Sequence, residues 1–396
     1  MTSLLLLPLS LVSAGQAWVI NGDSLGYADL STGYVEQGAL ELATYPNDLT
    51  LHGDYIYAVC SGADAQALQR IDPNTMEVED LAIGTGYNCW SSIALDDGHL
   101  AVSAALADRV VIIDTVTFTV ESEIEGVGPN PEGMCLLGDS LWVACGGWGT
   151  DDNLVVVDLA AGQPVDTVSV GVNCQSVAWD GTDELVVVCS GAYGSGEGSV
   201  SFVDPQTMQE TESVYLGGFP STIQIRGGSA YAGDGWGPGV YEVDVETHEV
   251  LHDSSDPLCP GGTGFALDGG GAFYVSDAVG GEVAVYDEDM GQLEEYAFAA
   301  PSAVAVFGTL TGVGGSGQQK PSRLWAAPCP AVATVRITGA DPGEPVVVMD
   351  LAGRVVARKP SGPEGAATLS VSGLDSGVYL VRSGRSSTRL IVLEGR

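Results

Sequence analysis

Residues 46–59 read Pro46-Asn-Asp-Leu-Thr-Leu-His-Gly-Asp-Tyr-Ile-Tyr-Ala-Val59, which is an apolar strand, a tight Gly-Asp turn and a second strand. The same pattern returns six more times, beginning near Trp90, Pro131, Cys174, Pro220, Gly262 and Pro301. The steps between copies are 44, 41, 43, 46, 42 and 39 residues. A period near 40 residues with four short strands in each repeat is typical of β-propeller blades. The pattern therefore predicts an all-β propeller.

The two ends of the repeat region complete one another. Residues 18–44 contain three predicted strands, whereas residues 301–308 contain a single first strand. Joined in one sheet, they make a seventh blade, which closes the ring and removes the exposed sheet edges. We therefore predict a seven-bladed β-propeller over residues 18–308.

The third strand of each repeat is an apolar run that ends in aspartate, as in Arg109-Val-Val-Ile-Ile-Asp114. Such runs are typical of strands buried between neighbouring blades, and the aspartate side chain can accept hydrogen bonds from the turn that follows. Together with Gly138-Asp-Ser-Leu-Trp-Val-Ala144, this segment resembles the YVTN-type propeller repeat. The resemblance implies the fold of about three quarters of the chain. It implies no single activity, because such propellers include surface-layer proteins, binding modules and enzymes.

Residues 1–17 have a short apolar core and end in the small-residue segment Ser13-Ala-Gly-Gln-Ala17. This pattern predicts a secretory signal peptide that is cleaved after Ala17. The apolar run is too short to span a membrane as a stable helix, and no other segment approaches that length. We therefore expect an exported protein without an integral membrane segment.

Charge is distributed unevenly along the chain, whose formal net charge is −39. Residues 1–308 contain 3 basic and 46 acidic side chains, whereas residues 309–396 contain 10 basic and 6 acidic ones. Because residues 1–308 are so acidic, they repel nucleic-acid phosphates and anionic lipid surfaces, and we expect neither as a partner. It favours cations, and the carboxylate oxygens of Asp48 and Glu132 would suit Ca²⁺. We predict no other cofactor.

The chain changes character after Gly308. Residues 309–320 are predicted to form a flexible linker, and residues 321–396 contain five to seven short strands typical of a small Ig-like sandwich. Asp350-Leu-Ala-Gly-Arg-Val-Val356 and Gly377-Val-Tyr-Leu-Val-Arg382 resemble the type A C-terminal sorting domain of the type IX secretion system. The matched motif residues are Asp350, Gly353, Arg354, Gly377 and Tyr379. The resemblance implies recognition by that machinery and a protein secreted to, or held at, the outer surface of a Gram-negative-type bacterium.

Two pairs among the eight cysteines have the same separation. Cys60 and Cys145 end second strands, Cys89 and Cys174 directly precede first strands, and 29 residues separate the members of each pair. In a propeller these positions meet where neighbouring blades join. We therefore predict the disulfides Cys60–Cys89 and Cys145–Cys174, with independent buried thiols as the alternative. The cysteines without a predicted partner are Cys135, Cys189, Cys259 and Cys329.

Two patterns associated with catalysis lie in unsuitable places. Gly22-Asp-Ser-Leu-Gly26 matches G-x-S-x-G, but that motif requires a strand-to-helix turn, and here it lies between two predicted strands. His52, His99 and His248 are placed on the face opposite the starts of the first strands. We predict neither a serine triad nor a histidine metal site at the channel mouth.

First strands line the central channel of a propeller, so side chains at their starts converge at one mouth, which we name the top face. The predicted ligand-binding residues are Asp48, Trp90, Glu132 and Gln175 at the strand starts, and Trp148, Tyr193 and Trp236 in loops that follow second strands. Aromatic rings beside carboxylates and amides suit stacking on, and hydrogen bonding to, a glycan or another polar ligand. Loop packing and channel water would explain the same side chains without a ligand.

The predicted function is binding of a glycan, a peptide or a surface partner at the top face, without a catalytic residue. Two alternatives stay open. One is a cation-assisted lyase or hydrolase that uses acidic residues of the top face, and the other is a structural component of a surface layer.

Overall fold

The computed structural model describes residues 15–62, 67–308, 325–327, 334–338, 345–349, 354–362, 366–371, 373–374, 377–383 and 386–392. The regular elements in these ranges are all β-strands, which confirms the predicted fold class. The chain divides into two compact units, residues 1–313 and 314–396. Residues 1–14 of the predicted signal peptide and the whole predicted linker lie outside the described residues.

The described residues of the first unit form seven four-stranded antiparallel sheets, the blades of the propeller. The closing blade contains β1 (Gln16–Asn21), β2 (Ser24–Asp29) and β3 (Val35–Glu41); blade 1 contains β4 (Pro46–His52), β5 (Tyr55–Cys60), β6 (Leu68–Ile71) and β7 (Val78–Leu81); blade 2 contains β8 (Cys89–Asp96), β9 (His99–Ala104), β10 (Arg109–Asp114) and β11 (Thr119–Glu125). Blade 3 contains β12 (Pro131–Leu137), β13 (Ser140–Cys145), β14 (Asn153–Asp158) and β15 (Gln163–Ser169); blade 4 contains β16 (Cys174–Trp179), β17 (Leu185–Cys189), β18 (Ser199–Asp204) and β19 (Gln209–Tyr215). Blade 5 contains β20 (Thr222–Arg226), β21 (Ser229–Asp234), β22 (Gly239–Asp244) and β23 (Val250–His252); blade 6 contains β24 (Gly264–Leu267), β25 (Phe273–Asp277), β26 (Glu282–Tyr286) and β27 (Gln292–Ala297); β28 (Pro301–Phe307) returns to the closing blade.

The closing blade is split between the two ends of the propeller sequence. Its first strand, β28, pairs antiparallel with β1, so that Val304 lies opposite Val19 and Ala305 lies opposite Trp18. The first strands of neighbouring blades contact one another around the whole ring, β28 and β4 included. The predicted seven-bladed ring with a split blade is confirmed. Strand β1 begins at Gln16, two residues before the propeller boundary predicted at Trp18.

The hydrophobic core lies between blades, where second and third strands are buried on both faces. In β10, for example, Val110, Val111 and Ile113 are fully buried. At the end of that strand, Asp114 Oδ1 accepts hydrogen bonds of 2.8 Å from the Val116 and Thr117 N–H groups. The corresponding turns of the other blades are capped in the same way by Asp29, Asp72, Asp158, Asp204, Asp244 and Asp287. These bonds bear out the structural role predicted for the aspartates.

The described part of the second unit contains two antiparallel sheets. One consists of β29 (Trp325–Ala327), β30 (Thr334–Thr338) and β33 (Ala367–Ser370), and the other of β31 (Pro345–Met349), β32 (Val355–Pro360), β34 (Gly377–Ser383) and β35 (Ser386–Val392). Their apolar side chains share one buried core, which includes Val335, Val346 and Tyr379. Among the other predicted motif residues, Gly377 begins β34 and Arg354 is exposed, while Asp350 and Gly353 lie outside the described residues. The Ig-like topology and the sorting role stay predictions.

The packing at the closure predicts the effect of a single truncation. Val304 is 5% exposed and belongs to the same buried cluster as Val19 and Tyr274. Because Val304→Ala removes two buried carbon atoms and leaves a cavity, we expect the free energy of unfolding to fall by about 2 kcal/mol in urea titrations. Val279→Ala, at a side chain that is 76% exposed, is the matched control and should change it by less than about 0.5 kcal/mol. Equal losses in the two variants would contradict this account of the closure.

Candidate functional site

In blades 1 to 4 the first strand begins at the top face with the same backbone irregularity. The residue before the strand is left-handed, with φ of 56° at Tyr45, 53° at Asn88, 56° at Asn130 and 60° at Asn173. The pairing register then shifts within the first residues of the strand, as in a β-bulge, which re-aims the side chain of the unpaired residue. The residues at the second strand position are Asn47, Trp90, Glu132 and Gln175.

All seven first strands contribute to a cavity of about 220 Å³ at this end of the channel. Its lining includes Asp48, Trp90, Ser91, Gln175, Ser221 and Thr263, and β28 contributes Ala303 and Val304. The structure therefore brings three of the four residues predicted at strand starts into one cavity, which is lined largely by hydroxyl, amide and carboxylate groups. Glu132 does not line it, although its neighbour Gly133 does.

Asp48 connects blade 1 to blade 2. Its Oδ2 accepts hydrogen bonds from Ser91 Oγ (3.1 Å) and from the Ser92 N–H (2.9 Å), and its Oδ1 accepts one from the Leu49 N–H (2.8 Å). Burial raises the pKa of Asp48, and the three hydrogen bonds act against that shift. The carboxylate is thus held in one orientation, and Oδ1 keeps an acceptor position that none of these bonds uses.

Glu132 is buried between blades 3 and 4, behind the cavity. It is 5% exposed, and burial raises the pKa of its carboxyl group to about 8, against the opposing effect of the Asn130 and Gln175 side chains. Neither Glu132 Oε2 nor Asn130 Nδ2 has a hydrogen-bond partner. Most Glu132 side chains are therefore protonated at neutral pH.

The predicted sharing of a cation by Asp48 and Glu132 finds no support in this geometry, because only the first of the two carboxyl groups faces the cavity. Within the described ranges there is no group of three or more His, Cys, Asp or Glu side chains placed to hold a metal ion. Binding of Ca²⁺ stays a prediction from the charge of the chain.

Three exposed aromatic side chains lie in top-face loops that join second strands to third strands. Trp148 is 46% exposed, Tyr193 72% and Trp236 85%. The Trp148 N–H donates a 3.1 Å hydrogen bond to Asn130 Oδ1, which ties its loop to the start of β12. The ring of Tyr193 covers Gly149, where a Cβ atom would come within 2.7 Å of it. The loops of blades 3 and 4 are therefore in contact, and Trp236 belongs to blade 5.

Asn130 and Asn173, which were not predicted from the sequence, lie beneath the top face and hold groups of this face in place through hydrogen bonds. Both are buried and left-handed. Asn173 Oδ1 accepts a 2.9 Å hydrogen bond from Gln175 Nε2, and its Nδ2 donates to the Gly191 carbonyl at 3.1 Å. The sequence contained a signal for them, because asparagine directly precedes the first strand at positions 88, 130 and 173. Asparagine is among the side chains that tolerate a left-handed backbone best.

The predicted disulfides Cys60–Cys89 and Cys145–Cys174 are not formed, and every cysteine in the described ranges is a free, buried thiol. The members of each pair are neighbours. Burial raises the pKa of Cys89, and the neighbouring Cys60 adds to that shift. Burial likewise raises the pKa of Cys145, with a contribution from Cys174. The sulfur atoms have other partners, however: Cys145 Sγ lies 3.3 Å from the Val127 carbonyl, and Cys174 Sγ lies 3.1 Å from the Asn153 carbonyl. The 29-residue spacing thus predicted correctly that the two cysteines of each pair are neighbours, but the prediction that they form disulfides was wrong. Cys329 lies outside the described residues.

The histidines and Ser24 lie away from the cavity. His52 ends the first strand of blade 1 at the face opposite its mouth. His248 is in the turn after β22, where its ring bonds to Glu184 (2.7 Å) and Glu212 (2.9 Å) and stacks on Phe202. Ser24 opens β2, directly after a tight turn. None of these side chains lines the cavity.

No protein-family model matches the chain, and no curated protein matches its sequence. Solved structures match its fold. A putative 6-phosphogluconolactonase from Bacteroides fragilis is 12% identical, with a TM-score of 0.57, over 76% of this chain and 99% of that one. Streptogramin B lyase is 11% identical, with a TM-score of 0.52, over 66% of this chain and 86% of that one. A quinoprotein alcohol dehydrogenase-like protein from Bacteroides thetaiotaomicron is 14% identical, with a TM-score of 0.51, over 74% and 78%.

These propeller-like structures support the fold of the first unit, and at such identities they show the fold alone. Among the described residues, no helix has the length and apolar character needed to cross a membrane.

Glu132→Gln tests the state of the buried carboxyl group. Its pKa rises from an ordinary 4.5 to about 8 in the folded protein, so the wild type loses stability as pH rises through that interval. Urea unfolding should give equal stabilities for variant and wild type below about pH 4. At pH 7 the variant should be more stable by roughly 3 kcal/mol.

Glu77→Gln, at an exposed carboxylate, is the control for this experiment and should show no such pH-dependent difference. A Glu132→Gln variant less stable than the wild type at pH 7 would overturn the assignment of a neutral, incompletely bonded carboxyl group.

Proposed function

We propose that the propeller is a non-catalytic binding module whose polar ligand, a glycan or a peptide, sits at the top face. One observation carries this proposal: a cavity lined by the first strands of all seven blades lies on the face where Trp148, Tyr193 and Trp236 are exposed. The cavity supplies hydrogen-bonding groups in fixed positions, and the rings supply apolar area at a low cost in side-chain entropy. Together they fit a ligand that is polar along its edge and flat on its faces.

The alternative of a cation-assisted lyase or hydrolase receives less support from the same geometry. Such an enzyme needs both Asp48 and Glu132 to contact one substrate, but Glu132 is buried and does not line the cavity. The Asp48 oxygens already accept three hydrogen bonds, two of which come from Ser91 and Ser92 and fix blade 1 to blade 2. Enzyme names among proteins of similar fold do not transfer an activity, because function belongs to the site and not to the scaffold.

Substitution of the exposed rings tests the binding site. Thermal-shift screening of the full chain against neutral, anionic and cationic oligosaccharides and peptides should find a ligand that raises the unfolding temperature. Trp148→Ala and Trp236→Ala should then weaken its binding, measured by calorimetry, by about tenfold or more. Tyr34→Ala, at a 54% exposed ring on the opposite face, should leave binding unchanged. An unresponsive wild type across the whole panel would favour a structural surface-layer role instead.

We also propose that the protein is exported and that residues 321–396 direct its passage through the type IX machinery. The structure suggests a different cleavage site from the one predicted. Ala17 is fully buried in β1 and lies opposite Val306, so cleavage after Ala17 would remove the first two residues of that strand. Cleavage after Ala14 would keep β1 whole, and Val12-Ser-Ala14 also has the form of a signal-peptidase site.

Sequencing and fractionation test this route. The N-terminal residue of the exported protein should be Gly15, and a mature protein that begins at Trp18 would contradict the revised site. Removal of residues 321–396 should retain the propeller in the periplasm, whereas the full chain should reach the medium or the cell surface. Equal distributions of the two proteins would refute a sorting role for the tail.

A further inference from the structure

We infer that the ligand of the top-face cavity carries a protonated primary amine, which binds against the Asp48 carboxylate and the Trp90 indole. This inference rests on the proposed function and deepens it, because it names the chemical class of the group that enters the cavity.

The first argument is the charge of the site. Asp48 is the single charged side chain in the lining of the cavity. The three basic residues of the propeller are engaged elsewhere: Arg109 pairs with Glu123 and Glu125, Arg70 with Glu79, and Arg226 lies over the ring of Phe273 and bonds to Met290. An anionic ligand would therefore meet a carboxylate with no cation beside it. A cationic ligand would be attracted by the local charge and by the acidic propeller around it.

The second argument is the hydrogen-bonding capacity of Asp48. A carboxylate offers about four acceptor positions, of which the Leu49 N–H, Ser91 Oγ and the Ser92 N–H use three. The remaining position on Oδ1 can accept a hydrogen bond from the ligand. An ammonium group offers three donors, so it can bond to Asp48 and to neighbouring hydroxyl groups at the same time. The existing bonds also hold the carboxylate in place before a ligand arrives, which reduces the entropy lost on binding.

The third argument is Trp90, which lines the same cavity and is 37% exposed. Its indole ring is the side chain that attracts cations best through its π face. A hydroxyl group on a ligand would gain the bond to Asp48 without this contribution, whereas an ammonium group gains both. The combination therefore favours an amine over the neutral polar group that would otherwise fit.

Size limits what enters. At about 220 Å³ the cavity is smaller than the sites that enclose whole drug-sized ligands. It suits one head group, such as an amino-sugar ring or the end of a lysine side chain, while the rest of the ligand lies over Trp148, Tyr193 and Trp236.

Matched ligand pairs test this inference on the full chain by calorimetry at low salt and neutral pH. A glucosamine tetramer is compared with the N-acetylglucosamine tetramer. Nα-acetyl-lysine amide, whose side-chain amine is free, is compared with Nα-acetyl-norleucine amide. In each pair only the first member carries the charged amine. We expect the amine to bind more tightly by about tenfold or more in at least one pair, and that pair identifies the source of the amine.

Variants locate the selection. Asp48→Asn and Trp90→Leu should each reduce the preference for the amine, to about unity in Asp48→Asn, while the unfolding temperature shows that both variants are folded. Asp23→Asn removes the same charge from an exposed turn of the top face and should leave the preference intact. A preference that survives in Asp48→Asn would overturn the inference, since general surface charge would then explain it.

The failures of the two proposals differ. Equal affinity for both members of both pairs, or binding of anionic oligosaccharides alone, would contradict the inference that the ligand carries an amine. Neither result would contradict the proposal that the propeller is a binding module. Weaker but measurable binding of every ligand in Trp148→Ala, with the preference for the amine retained, would separate the ring contacts from the cavity and support both proposals.

Discussion

The whole top face depends on the main-chain pairing of β28 with β1. These strands lie at opposite ends of the propeller sequence, and their hydrogen bonds turn a row of blades into a closed ring. Closure also completes the cavity, since β28 supplies Ala303 and Val304 to its lining and contacts both β24 and β4. Without that pairing the seven first strands would have no common axis, and the side chains at their starts would not meet.

Inner-edge hydrogen bonds then fix the distance between blades. Asn47 Nδ2 donates to the Cys89 carbonyl, and Thr222 Oγ1 donates to the Gly262 carbonyl. At Gly133 a Cβ atom would come within 2.7 Å of the Gln175 carbonyl, so this position admits only glycine without a shift of the neighbouring strand. The cavity is small because short polar side chains and glycine let the first strands approach closely.

The sequence allowed the ring and the direction of its first strands to be predicted, because both follow from a repeat whose apolar pattern is local. It therefore brought Asp48, Trp90 and Gln175 to one mouth correctly. It could not place Glu132, which occupies the same repeat position as Trp90 and Gln175 but turns between blades 3 and 4. The direction of a side chain at a bulge depends on the packing of the adjacent blade, which no local pattern encodes. The cysteines failed for a related reason: spacing along the repeat predicts which Cα atoms are neighbours, whereas a disulfide also requires sulfur atoms that point at one another.

A comparison of the blades with one another separates structural from chemical demands. At the turn after the third strand all seven blades have aspartate, and in each its side chain accepts hydrogen bonds from the turn. Every blade thus meets the same backbone requirement at this turn with the same residue type. Where the first strand begins, the corresponding repeat positions hold side chains of four chemical types, amide, indole, carboxyl and hydroxyl: Asn47, Trp90, Glu132, Gln175, Ser221, Thr263 and Ser302. In blades 1 to 4, where the left-handed residue and the register shift recur, four different side chains follow the same backbone, so the backbone does not dictate these choices. The varied side chains of the top face are therefore what an asymmetric ligand would require, whereas the uniform aspartate turn is what the scaffold requires.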